Sequence, residues 1–348
     1  MKNIIFRSGI SIVLAAVLSA GMTACGDSGA DRSDADAGSD PAASEEPFVI
    51  TLPSIGTSAT NLDNIAIGIH KGFFEEENIQ IKDAGEIAIP EFVPALLSGT
   101  ITGATLMTSN GLAAIDNGGP IIQVGTMSET VEENPHMNFI VMKDSPIEGG
   151  GDLQGKKIGI GGLSGCTAGF PLEYAKQGGI EDPNDDVTFV TTPEISLVSA
   201  LEKGEIDVVG LHSSPEQIAF LYPETRILFS DYDIFEDRGG DIGYYFPIEY
   251  AEENPEAISH FLAAVAKTQK WINENREEAL KIYLEEINPN ANADLLRIPH
   301  FSDDAVIKQD HTELWIDILG AGDSIQPLEN EWTFDQVATN KYNPNYKE

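Results

Sequence analysis

Ile65-Ala66-Ile67-Gly68-Ile69-His70-Lys71-Gly72-Phe73-Phe74-Glu75-Glu76-Glu77-Asn78-Ile79 is the stretch whose reading decides the fold. Leu62, Ile65, Ala66 and Ile69 fall at i, i+3, i+4 and i+7, one face of a helix. The helix stops at Lys71-Gly72-Phe73-Phe74, where glycine supplies the left-handed turn that ends it. After the acidic turn, Ile79–Lys82 reads as a strand, and Phe48–Pro53 reads as another ahead of the helix. Strand, helix, strand is the unit from which parallel sheets are built.

The alternation continues in both directions from this unit. Ile89–Leu97 is a short helix, Ile101–Met107 a strand, Ser109–Asp116 a helix and Ile121–Gly125 a strand. A second cycle starts at Asp152-Leu153-Gln154-Gly155-Lys156-Lys157 and runs through strands Lys157–Gly161, Val187–Thr191, Asp207–Leu211 and Arg226–Phe229. Helices at Cys166–Gln177, Ile195–Lys203 and Pro215–Tyr222 separate these strands. Asn254-Pro255 then opens a long helix striped by Ile258, Phe261, Leu262, Val265 and Ile272, with Asn as cap and Pro in the first turn. The expected class is α/β: two doubly wound lobes covered by helices and followed by C-terminal helices.

The N-terminal segment has the grammar of an export signal. Lys2 and Arg7 precede an apolar run from Ile10 to Leu18 and the small residues Ser19, Ala20 and Gly21. That run is too short to cross a hydrocarbon core, which takes about 20 residues. Met22-Thr23-Ala24-Cys25-Gly26 resembles a lipobox, which implies a lipidated Cys25 as the mature N-terminus. Residues 25–47 lack the large apolar side chains needed to offset chain ordering and read as a disordered acidic linker. The chain carries 57 acidic against 20 basic residues, a formal charge of −37, which repels nucleic acid and anionic lipid. It has only two cysteines, so a lipidated Cys25 leaves Cys166 without a disulfide partner.

The order and spacing of four passages resemble the type II periplasmic solute-binding proteins of ABC importers, over about residues 48–335. The passages are Ile65 to Ile79, then Ala95-Leu96-Leu97-Ser98-Gly99-Thr100-Ile101 running on to Asn117-Gly118-Gly119-Pro120-Ile121, then Leu153-Gln154-Gly155-Lys156-Lys157-Ile158-Gly159, and Ala200-Leu201-Glu202-Lys203-Gly204-Glu205-Ile206-Asp207. Within that group the chain is similar to the branch that binds aliphatic sulfonates, nitrate or taurine, together with the binders of thiamine-precursor pyrimidines. Thr102-Gly103 departs from the pattern, which usually carries an acidic residue there. The cytoplasmic relatives that synthesise the thiamine pyrimidine carry a cysteine-rich metal motif, and this chain has none. The resemblance implies a two-crossover hinge, near Val141–Ile147 and Ser230–Gly239, between lobe 1 (residues 48–143 and 235–348, with the C-terminal helices) and lobe 2 (residues 144–234). Residues 1–24 are then the signal peptide.

Ligands of α/β sheets sit beyond the carboxyl ends of strands, where helix N-termini present free N–H groups. That rule selects four small-polar turns: Thr57, Ser58 and Asn61 after the first strand; Thr108 and Ser109; Ser164, Gly165 and Thr167; and His212 and Ser213. Ser, Thr and Asn are also the ordinary helix-capping residues, so each of these turns equally suits a cap alone. Arg238, for an anion, and Tyr244, for a flat ring, lie where the chain recrosses between lobes. Cys166 reads as a buried filler at a helix start, with no histidine near it in sequence. Gly159-Ile160-Gly161-Gly162-Leu163-Ser164 falls short of the dinucleotide fingerprint, and Gly162-Leu163-Ser164-Gly165-Cys166 of the nucleophile elbow. The six histidines form no HxxxH or HExxH pair, so no metal site is legible and no cofactor is expected.

The expectation is a non-enzymatic, monomeric receptor outside the cytoplasm, touching the membrane only through its lipid anchor. It would capture a small ligand, a sulfonate or similar oxyanion in preference, and deliver it to the transmembrane subunits of an ABC permease. A thiamine-precursor pyrimidine or other flat heterocycle is the alternative ligand. The alternative roles are an extracytoplasmic enzyme on the same fold, which needs a positioned base and nucleophile, or a lipoprotein that presents its ligand to a sensor.

Overall fold

The computed structural model describes residues 46–163, 165–321 and 327–347. The signal, Cys25, nearly all of the linker, and Ser164 lie outside the described residues. The opening helix runs Asn64–Lys71, capped by the Asp63 carboxylate, which accepts from the N–H groups of Ile65 and Ala66. It ends at Gly72, whose φ of 77° returns its N–H to the carbonyls of Gly68 and Ile69. Its inner face is not the expected stripe: Ile69 is 43 % exposed, whereas Ile67 is fully buried beside Ile65 and Ala66. The long helix Pro255–Glu274 buries Ile258, Phe261, Leu262, Val265 and Ile272 completely, as its period requires. Asn254 does not cap it by side chain; its amide donates to the Tyr250 carbonyl at the end of the preceding helix.

The strands are β1 (Phe48–Leu52), β2 (Ile79–Asp83), β3 (Ala104–Met107), β4 (Ile121–Glu129), β5 (Asn138–Met142), β6 (Lys157–Ile160), β7 (Thr188–Thr191), β8 (Val208–Leu211), β9 (Thr225–Ser230), β10 (Ile242–Pro247) and β11 (His300–Phe301). β1 and β2 pair in parallel, and the order β11-β4-β10-β3 forms a second small sheet. The other lobe holds the order β7-β6-β8-β5-β9. In that sheet β6 is parallel to β7 and β8, and β5 is antiparallel to both β8 and β9. β10 is likewise antiparallel to β3 and β4. β5 and β10 are thus reversed strands, each supplied by chain that has just crossed from the other lobe, and the short β11 also pairs antiparallel with β4. β5, expected to close the first lobe, pairs in the second, so the first crossover lies upstream of the expected place, between β4 and β5.

Thr102-Gly103 has a physical explanation. The Thr102 hydroxyl accepts from the Thr51 N–H at 2.8 Å and the Thr102 N–H donates to the Thr51 carbonyl, joining β1 to the start of β3. A Cβ on Gly103 would stand 2.7 Å from the Phe246 ring. The turn is a seam between strands, with no room or partner for a carboxylate.

The two crossovers are bonded side by side. The fully buried Asp231 carboxylate accepts from the Thr130 hydroxyl and from the Met137 N–H at 2.8 Å, so the second crossover holds the first. The Asp241 carbonyl accepts from the Thr108 N–H at 3.1 Å, and the Asp241 carboxylate meets His311 Nδ1 at 2.7 Å. Trp315, fully buried, packs on Phe170 and Phe235 and donates through Nε1 to the Gly239 carbonyl.

Burial pushes Asp231 up to about 6, against the hydrogen bonds from Met137 and Thr130 and the charge of Arg297. A carboxyl raised in the folded state binds its proton before the unfolded chain does, so it favours folding as pH falls through 6 toward 4. Urea titrations of the wild type and Asp231→Asn should therefore diverge as pH drops from 7 to 5. The wild type should gain roughly 1 kcal/mol over the variant, from the 1.36 kcal/mol carried by each pKa unit. A constant difference would refute the buried-carboxyl assignment.

Candidate functional site

Strand register gathers the site. Asn138 of β5 lies opposite Leu211 of β8, which sets His136, just ahead of β5, beside His212, just after β8. β6 and β8 run in parallel with Gly159 opposite Val209, so the helix Gly165–Gln177 that follows β6 begins at the same end. Cys166 in its first turn brings Sγ to 4.0 Å from His212 Nε2. The His136 and His212 rings meet edge to face with centroids 5.0 Å apart. The donor atoms of His136, Cys166 and His212 all lie within 4.8 Å of one another.

Glu194, at the head of the helix after β7, orients His212. Its carboxylate accepts from the His212 N–H at 2.8 Å and lies 3.3 Å from His212 Nδ1. Burial opposes the charge on His212, but the Cys166 and Glu194 contacts overcome it and raise the imidazole to about 10. Burial likewise opposes the charge on Glu194, and its bonds to His212 keep it below the usual carboxylate range. His136 behaves oppositely: burial, followed by the neighbouring charges of His212 and Arg297, holds it well below the ordinary imidazole value. It is only 7 % exposed, and its Nε2 has no hydrogen-bond partner.

The first lobe meets this cluster through the helix Thr108–Asp116, which starts at the end of β3. Ser109 Oγ is buried without a partner, and a Cβ built on Gly165 would stand 2.0 Å from it. Only glycine allows so close an approach between the lobes. Of the four expected turns, three therefore come together: Thr108-Ser109, Gly165–Thr167 and His212-Ser213. Thr108 spends its hydroxyl on the Asp241 carbonyl, and Thr167 donates to the Gly162 carbonyl. The Ser213 carbonyl accepts from the Asn138 amide.

The fourth turn closes on itself. Thr57 donates to the Ser54 carbonyl, and Ser58 Oγ accepts from the Asn61 N–H. It reaches the cluster through Arg297, which sequence reasoning missed. The Arg297 carbonyl and N–H pair with Leu62 N–H and the Thr60 carbonyl, both at 2.8 Å. Its buried guanidinium donates to Asn134 Oδ1 and to the carbonyls of Pro135 and His136. Arg238 and Tyr244 do not join the cleft in the expected roles. The Arg238 Nε donates to the Phe235 carbonyl within its own turn. The Tyr244 ring is 1 % exposed and edge-on to Phe261, with its hydroxyl bonded to Asn64 and Gln269, so no face is left for a flat ligand. Cys166 is buried as expected, but the fold gives it the histidine neighbour that the local sequence lacks.

Two α/β lobes with two crossovers and small-polar helix starts facing each other define the fold of the type II periplasmic solute-binding proteins. The chain belongs to the NMT1/THI5-like family, whose sequence pattern matches residues 59–279. It is 27 % identical over 254 residues to a Haemophilus influenzae protein named for thiamine biosynthesis, covering 68 % of this chain and 76 % of that one. Its fold is similar to that of the periplasmic aliphatic sulphonate binding protein SsuA of Escherichia coli, with a TM-score of 0.67, 17 % identity and coverage of 85 % and 99 %. The periplasmic nitrate-binding protein NrtA of Synechocystis PCC 6803 shares it too, at TM-score 0.62, 14 % identity and coverage of 85 % and 87 %. Both structural relatives are named as binding proteins.

Replacing Arg297 by Met leaves the carbonyls of residues 135 and 136 buried and unpaired. Thermal and urea unfolding should show a loss of about 3–5 kcal/mol, the usual cost of removing one member of a buried charged network. Arg297→Lys should recover less than half of it, because one ammonium cannot reach all the acceptors. Full stability in Arg297→Met would remove Arg297 from this role.

Proposed function

We propose that this chain is the solute-binding component of an ABC importer, held outside the cytoplasm by lipidated Cys25. Its two lobes close on a small ligand by bending at the crossovers between β4 and β5 and between β9 and β10, and the closed form docks on a permease. The observation that carries the reading is the buried, unpartnered Ser109 hydroxyl opposite Gly165. Two helix N-termini, from different lobes, meet there, and a buried polar group without a partner is stabilised by a ligand that supplies one.

A sulfonate or similar small oxyanion fits this pair of helix starts without a lysine or arginine. The sulphonate- and nitrate-binding names of the structural relatives support that class. The thiamine-biosynthesis name of the 27 % identical relative supports a thiamine-precursor pyrimidine as the second reading. Tyr244, the ring expected to stack on a pyrimidine, is 1 % exposed, and Tyr245 and Phe170 are no more open, so such a ligand would be gripped by its edges.

Thermal-shift measurements with alkanesulfonates, taurine, nitrate and thiamine pyrimidines test both readings. A true ligand at a hundredfold excess over its Kd should add about 2.7 kcal/mol, a shift of roughly 5 °C. Ser109→Ala should leave the free protein as stable as the wild type while weakening ligand binding about tenfold, the loss of one hydrogen bond to a charged group. If no compound of the panel raises the melting temperature, both ligand classes fall.

A further inference from the structure

The cluster at the head of β5, β6 and β8 contains more than a solute cleft needs. His136 is 7 % exposed and unpartnered at Nε2, a ring nitrogen buried without anything to bond. It faces a thiol and a second imidazole contributed by two other segments of the chain. We propose that His136, Cys166 and His212 form a binding site for a single zinc-class transition-metal ion, held by two imidazole nitrogens and one thiolate at the cleft face of the second lobe.

The donor set and its spacing support this assignment. Tetrahedral zinc sites have bonds of about 2.0–2.1 Å to nitrogen and 2.3 Å to sulfur, which places ligand atoms roughly 3.3–3.7 Å apart. The three donors here lie within 4.8 Å, so contraction by about 1 Å through side-chain rotation closes the site. Nitrogen with thiolate sulfur selects zinc or a softer ion over magnesium or calcium. Glu194 completes the pattern: a carboxylate on the far ring nitrogen of a ligating histidine fixes its tautomer and orientation. Binding forms one metal–sulfur and two metal–nitrogen bonds, and any proton on Sγ or on His212 Nε2 leaves to solvent. Three protein donors leave a fourth position for water or for a donor atom of a captured solute.

The metal site is independent of the transport reading, since its three donors belong to the chain whichever solute enters the cleft. Cobalt(II) and zinc(II) titrations of the full chain carrying Cys25→Ala, in which Cys166 is the sole thiol, test it directly. One equivalent of cobalt should produce a thiolate charge-transfer band and the intense visible bands of a tetrahedral ion, and one equivalent of zinc should abolish both. Competition with a chromophoric chelator should show zinc affinity falling about a hundredfold in Cys166→Ser and His136→Gln. Glu194→Gln, acting through His212, should lower affinity about ten- to a hundredfold while leaving the charge-transfer band in place. The parent protein's own band reports thiolate ligation even if the Cys166 variant does not fold. Absence of the band, or zinc affinity unchanged in both His136→Gln and Cys166→Ser, overturns the site. Failure of the sulfonate and pyrimidine panel alone leaves it intact.

Discussion

Arg297 places one buried positive charge between two parts of the first lobe and the crossover that leaves it. Its backbone pairs with residues 60–62, and its guanidinium holds the Asn134 side chain and the carbonyls of residues 135 and 136. Taking a guanidinium out of water is expensive, and here the hydrogen bonds to neutral oxygens and the charges of Asp231 and Glu194 offset that cost. Burial pulls the group down to about 10, so it is still cationic at neutral pH. That fixed charge has a local consequence, because it helps to keep the adjacent His136 unprotonated.

The same crossover is held from its other side by Asp231. Thr130, Met137 and Asp231 bond across the two connecting segments, and a Cβ on Gly240 would stand 2.0 Å from the Thr130 hydroxyl. The crossovers therefore lie against each other without a gap. Cationic Arg297 on one side and acidic Asp231 on the other fix where β5 enters its sheet, and β5 carries His136 to His212. The site geometry follows from polar groups that have no direct part in it.

The chemistry gathered at the cleft is unusual for so acidic a chain. Of the 57 acidic residues, only Glu194 among the described residues joins the cluster, where its carboxylate is engaged by His212. The remaining groups are a thiol, two imidazoles and a hydroxyl, with helix N-termini behind the thiol and the hydroxyl. The proposed anion and metal-ion sites both draw on these groups, and the surface charge is left to solubility.

The sequence alone determined the α/β class, the two cycles and the long C-terminal helix, because apolar periodicity and glycine stops are local properties of a chain. Gly72 and the stripe from Ile258 to Ile272 show this directly. It also picked out the turns at Ser109, Gly165 and His212, since strand ends followed by small polar residues are readable in one dimension. It misread Tyr244, whose hydroxyl finds Asn64 and Gln269 far away in sequence, and Ile69, which a one-residue change in the buried face turns outward. Cys166 looked isolated because its histidines lie 30 residues before it and 46 after it. Only the tertiary structure decided that they meet, because the pairing of β5 against β8 depends on where the chain crosses between lobes. That crossing is set by buried polar contacts of Arg297 and Asp231 that leave no periodic mark in the sequence.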